Sequence, residues 1–202
     1  MKTCRCVLVL AAVAVLLLSG VAAASEMPFG LGIKAGVNES NLTGSYADFI
    51  HSKYETGYVV GAFLCQDLNP YLGLQEEALF NAQRSKGDAD VRVDLQYVEV
   101  PVLLRFYVLP GPVKPFVYAG PSFGFKVSGK VKQSGQPDID IKDRLRPVQT
   151  SVAAGAGVRL GLGGLGLIGD VRYLANTQDI LKGGDVISVR VNTWTVSAGI
   201  LF

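Results

Sequence analysis

The sequence predicts an all-β fold: an eight-stranded antiparallel up-and-down β-barrel that crosses a membrane, following a cleaved N-terminal signal peptide. Three observations carry this. Past residue 25 the chain resolves into eight segments of period-two alternation with little helical patterning. The connections alternate strictly between tight turns and longer polar stretches. The polar side of the segments is mostly Gly, Ser, Thr and Asn with a few charges of both signs, too small and too sparsely charged for a wall facing water.

The N-terminus is read first. Lys2 and Arg5 give a positive start, Val7 to Leu18 is an unbroken apolar run, and Ala22-Ala23-Ala24 is a small-residue cleavage site before Ser25. That run is short for a membrane span and has the layout of a signal peptide, so the expected division is 1–24 signal peptide and 25–202 barrel domain. Cys4 and Cys6 leave with the signal, and Cys65 alone cannot form an internal disulfide. Without Lys2 and Arg5, 17 basic residues face 17 acidic ones, so no basic excess recommends nucleic acid as a partner.

The eight strands are expected near 29–38, 56–68, 71–84, 93–109, 114–128, 149–162, 165–176 and 188–202. Asn69-Pro70, Pro110-Gly111-Pro112 and Gly163-Gly164 supply tight turns, while 39–55, 85–92, 129–148 and 177–187 are longer and polar. Short turns at one end and long loops at the other, with an even strand number, is the layout of a bacterial outer-membrane barrel.

Faces follow from parity, because successive side chains of a strand point to opposite sides. In the first strand Phe29, Leu31, Ile33, Ala35 and Val37 oppose Gly30, Gly32, Lys34, Gly36 and Asn38. In the third, Leu72, Leu74, Ala78 and Phe80 oppose Gln75, Glu77 and Asn81, with Glu76 stranded on the apolar side, either at the membrane edge or beside a bulge. In the fourth, Glu99 and Arg105 share a face opposite Val98, Val100, Val102, Leu104 and Phe106. The fifth sets Tyr118, Ser122 and Lys126 against Val117, Phe123 and Phe125, and the sixth sets Ser151 and Arg159 against Val152 and Val158. The seventh sets Asp170 and Arg172 against Leu167, Val171 and Tyr173, and the last sets Thr193, Thr195 and Ser197 against Trp194, Val196, Ala198, Ile200 and Phe202. The apolar parity is assigned to lipid. Lys34, Glu77, Glu99, Arg105, Lys126, Arg159, Asp170 and Arg172 are then expected in the lumen as one neutralising network, with Arg105 or another base beside the carboxylates.

"LGLQEEALFNAQRSKG" (72–87), "YVEVPVLLRFY" (97–107) and "KPFVYAGPSFGF" (114–125) resemble the outer-membrane β-barrel domain of PorT-like proteins, as do "GDVRYLANTQDI" (169–180) and "SAGILF" (197–202). The resemblance implies a barrel in the outer membrane, in contact with its lipid. It also implies that Trp194, Val196, Ala198, Ile200 and Phe202 form a C-terminal signal read by barrel-assembly machinery. A secretion-system role belongs to the namesake and is not carried over.

Chemical motifs are weak. Gly120-Pro121-Ser122-Phe123-Gly124 has the nucleophile-elbow spacing but no helix after it, and the chain's only histidine, His51, lies upstream. Gly161 to Gly166 has the spacing of a dinucleotide loop but leads into another strand. Asp138, Asp140 and Asp143 lack the glycine and glutamate of a calcium loop, and one histidine with Cys65 cannot build a zinc site. No catalytic, cofactor or metal residue is expected. The reading is a non-enzymatic barrel with a structural or loop-mediated binding role at the cell surface and an extracellular ligand left open. The rivals are a lipid hydrolase using His51 with Ser45 or Ser52, a narrow pore, and an accessory of a secretion system.

Overall fold

A computed structural model of the chain describes residues 29–43, 53–87, 91–133, 137–180 and 190–202. Among the described residues nine strands form: β1 (Phe29–Thr43), β2 (Lys53–Asn69), β3 (Leu72–Lys86), β4 (Val91–Tyr107), β5 (Val113–Gln133), β6 (Ile139–Asp140), β7 (Val148–Leu162), β8 (Leu165–Asn176) and β9 (Arg190–Leu201). Each long strand pairs antiparallel with its chain neighbours, β9 returns to β1, and β4 pairs with β5. Eight strands therefore close into a barrel without a free edge. The two-residue β6 adds to the far end of β5 alone.

Turn chemistry fixes the end that carries short connections. The Asn69 side chain accepts the backbone N–H groups of Tyr71 and Leu72, both at 2.8 Å, which folds β2 back into β3. Between β7 and β8, Gly163 and Gly164 take φ of 57° and 104°, a two-residue turn closed to other L-residues without strain. By the rule for such barrels this end is periplasmic.

The parities fall as the sequence predicts. Leu31, Ile33, Val37, Leu104, Phe106, Val117, Val152, Val171, Val196 and Ile200 are exposed on the outside, while Lys34, Asn38, Glu77, Glu99, Arg105, Ser122, Asp170 and Arg172 are buried in the lumen. On β1 the apolar outer run is Phe29 to Val37, and Glu39, Asn41 and Thr43 follow on the same side. Nine residues match the length a tilted strand needs to cross, about 9–11.

The strands at the long-loop end outrun their expected limits: β1 continues to Thr43, β2 starts at Lys53, and β5 runs to Gln133. Beyond the lipid the outer face turns polar while the inner face packs beneath the mouth, as Leu42 and Leu95 do, so the apolar–polar alternation reverses or fades while the backbone ladder continues. Among the described residues β4 and β5 have 17 and 21 residues, against 12 each for β8 and β9. Glu76 sits on the outer side in unbroken register with Leu64 and Val102, so no bulge excuses it; the bulges lie elsewhere. The signal peptide and His51, Ser45 and Ser52 lie outside the described residues.

Candidate functional site

The lumen holds three stacked layers. At mid-height Lys34 of β1, Glu77 of β3, and Asp170 and Arg172 of β8 form a neutral quartet. Arg172 clamps Glu77 bidentately, Nη1 to Oε2 and Nη2 to Oε1, both at 2.7 Å. Lys34 Nζ lies 2.8 Å from Asp170 and 3.3 Å from Glu77. Tyr118 of β5 receives a hydrogen bond from Arg172 Nε at 3.1 Å and donates its own hydroxyl proton to Asp170; Ser197 of β9 also donates to Asp170, and Gln75 to Glu77. Five strands are thus tied across the barrel. Two cations and two anions close together satisfy the demand that buried charge be paired and hydrogen-bonded. Gly155 makes room, because a Cβ there would come within 2.6 Å of the Tyr118 hydroxyl oxygen.

At the periplasmic mouth Asp67 gathers the Tyr107 hydroxyl at 2.6 Å, Arg159 Nη1 at 3.1 Å and Lys114 Nζ at 3.3 Å. Arg159 also borders a recess of about 300 Å³ with Phe29, Leu162 and Phe202. Arg105, 1% exposed, lies 4.2 Å from the Phe116 ring centroid and donates to the Tyr107 hydroxyl at 3.3 Å. At the extracellular mouth the lumen becomes apolar. Leu42, Leu95, Tyr97 and Val191 from the wall pack with Leu145 and Ile180 from the connections above.

The single network expected from sequence is therefore divided. Lys34, Glu77, Asp170 and Arg172 come together, and Arg159 belongs to the mouth cluster. Glu99 and Arg105 share the lumen but not each other: Glu99 accepts from Gln83 Nε2 at 3.1 Å, and among the described residues neither makes an ion pair. The aromatic rings beside Arg105 take the place of a carboxylate through cation–π contact. Lys126 is also corrected. It reaches up to the carbonyls of Lys142 and Leu145, pinning the turn that lowers Leu145 into the mouth. Asp67, Tyr107 and Lys114 were missed by sequence reasoning, although the even spacing of Lys114 from Tyr118, which parity placed in the lumen without a role, was available as a signal.

The other motifs find structural places. Ser122 is a buried luminal strand residue opposite Ser151 and Pro101. Gly161 to Gly166 is the β7–β8 hairpin. Asp138 lies 3.6 Å from Lys130, and Asp140 caps the Lys142 N–H at 2.8 Å; no cluster of three metal-ligand types forms among the described residues. Trp194, Val196, Ala198, Ile200 and Phe202 all point outward from the last strand.

A closed barrel with an apolar outer belt and a filled polar lumen defines an integral outer-membrane protein. The model of the outer membrane protein beta-barrel domain matches residues 23–181, and the chain belongs to that family. Neisserial surface protein A shares the fold, with a TM-score of 0.53 at 14% identity over 85% of this chain and 95% of that one. OprG from Pseudomonas aeruginosa aligns at 13% identity over 87% and 97% of the two chains, TM-score 0.49. Ail, the attachment invasion locus protein of Yersinia pestis, aligns at 17% identity over 87% and 100%, TM-score 0.49. A comparison with curated proteins finds no match. The protein is located in the outer membrane.

Proposed function

We propose that this protein is a non-enzymatic, PorT-like surface barrel whose lumen is a structural strut and whose extracellular wall and loops do the binding. The observation that carries this is the filled interior: an ion-paired quartet tied to five strands, beneath an apolar plug centred on Leu145. Such an interior offers neither a water column for diffusion nor an open cleft for a substrate. Binding is left to the parts that rise beyond the lipid, where variable chain rides on a rigid scaffold. The outward-facing Trp194 to Phe202 series supports the reading of the last strand as the segment met by assembly machinery.

The test uses single cysteines introduced in a Cys65→Ser background. A maleimide that cannot cross membranes should label Lys86→Cys in intact cells and Gly111→Cys only after lysis. Phospholipid hydrolysis by the purified barrel, or labelling with the opposite sidedness, would overturn the proposal.

A further inference from the structure

Arg105 is a luminal charge that the described part of the chain leaves unanswered. It is 1% exposed and makes no ion pair among the described residues. Its Nη1 donates to the Tyr107 hydroxyl at 3.3 Å, while Nε and Nη2 are shut away from solvent with no hydrogen-bond partner. The rings of Phe116 and Tyr107, centred 4.2 and 5.8 Å away, attract the charge but offer those N–H groups no lone pair. Glu99 also lacks an ion pair, but a carboxyl can give up its charge by taking a proton. A guanidinium cannot, so a dry one needs an acceptor.

The two orphaned donors define that acceptor. Nε–H and Nη2–H lie along one edge of the planar group and point the same way. That edge is the fork that takes two oxygens of one carboxylate, sulfate or phosphate. The polar side chains around it are already engaged. Tyr107 donates its hydroxyl proton to Asp67 at 2.6 Å. Tyr118, opposite Arg105 in the β4–β5 register, accepts from Arg172 and donates to Asp170. Gln75 donates to Glu77, and its Oε1 accepts the Cys65 thiol at 3.5 Å.

The balance of charge points the same way. Among the described side chains, the lumen on the periplasmic side of the quartet holds Arg105, Lys114 and Arg159 against Asp67 alone, and Asp67 is shared by Lys114 and Arg159. Three cations to one anion leave that end positive, beside a quartet that is neutral. It is also the end that meets solution. The Lys114 and Arg159 side chains are 23% and 24% exposed, and Arg159 borders the recess of about 300 Å³.

We propose that the periplasmic half of the lumen binds one small oxyanion, seated on the Nε–Nη2 edge of Arg105 and drawn in from the periplasm past Lys114 and Arg159. The anion supplies the counter-charge that the lower lumen lacks, as Glu77 and Asp170 supply it in the quartet. The site lies at the opposite end of the barrel from the extracellular binding proposed above and does not depend on it.

The test titrates phosphate, sulfate, acetate or chloride at constant ionic strength into the whole barrel, held in a phosphate-free maltoside detergent and read by calorimetry. One oxyanion should bind per barrel, ahead of chloride; the order of phosphate, sulfate and acetate tells a tetrahedral ligand from a carboxylate. A hydrogen bond to a charged group is worth a factor of about 10–100 in affinity, so Arg105→Lys, which keeps the charge and loses the fork, should weaken binding by at least about tenfold. Arg105→Met should abolish it, whereas Lys114→Gln should keep the preference for oxyanion over chloride. Thermal unfolding gives a second reading. Phosphate should raise the melting midpoint of the wild type further than that of Arg105→Met, where only the general stabilisation by excluded salt remains. No saturable binding to the wild type, chloride bound as tightly as every oxyanion, or affinity that survives Arg105→Lys and Arg105→Met but is lost in Lys114→Gln would each overturn the proposal. The first two outcomes need no variant to fold, and the labelling test of the preceding section can succeed while this one fails.

Discussion

Arg172 and Glu77 face each other across the lumen with both guanidinium nitrogens 2.7 Å from the carboxylate oxygens, joining β8 to β3, strands that do not touch in the wall. The pair is a crossbeam, and Lys34 with Asp170 completes it electrically.

Removing Glu77 leaves Arg172 and Lys34 facing Asp170 alone. Glu77→Ala should cost about 3–5 kcal/mol, the penalty for breaking a buried ion pair. Thermal unfolding in detergent, followed by the shift in gel mobility between folded and boiled barrel, measures it. A loss of only about 0–1 kcal/mol would mean that water screens the quartet as it screens exposed pairs.

Glu99→Gln should behave differently. Glu99 is held by the amides of Gln83 and Asn81 and makes no ion pair among the described residues, so the change should stay within about 1 kcal/mol of wild type. The same melting measurement ranks the two variants. Equal losses for Glu77→Ala and Glu99→Gln would remove the distinction between the crossbeam and the lone carboxylate.

The contrast shows what was legible in the sequence. Alternation fixes which face a residue takes, and it placed Lys34, Glu77, Glu99, Asp170 and Arg172 in the lumen correctly. It says nothing of which luminal residue meets which, because partners such as Glu77 and Arg172 sit on strands far apart around the barrel and depend on stagger. Arg105 lies against aromatic rings rather than a carboxylate, and its buried Nε and Nη2 have no hydrogen-bond partner. The bulges at Val127 and between Glu55 and Tyr58 were also invisible, since an extra residue in one strand leaves no mark in composition. For that reason the outward turn of Lys130 and Lys132 went unseen, whereas Lys126 does face inward and misses the quartet only because it sits near the upper mouth and reaches the carbonyls there.

The outer belt is tested from its middle. Val196 is exposed to lipid at the centre of β9, opposite Val171, and Val196→Arg should cost about 2–4 kcal/mol. Thr43→Arg, beyond the belt on β1, should cost about 0–1 kcal/mol. Folding yield into lipid vesicles at graded urea reads both, and equal costs would remove the belt from its assigned height.

The central claim is that the lumen is filled and carries nothing. Recording from the purified barrel in planar lipid bilayers tests it most directly. No steady conductance steps are expected from the wild type, nor after the mouth plug is cut back by Leu145→Gly with Ile180→Gly, because the Arg172–Glu77 quartet still closes the lumen at mid-height. Stable channel openings in the wild type would contradict that claim.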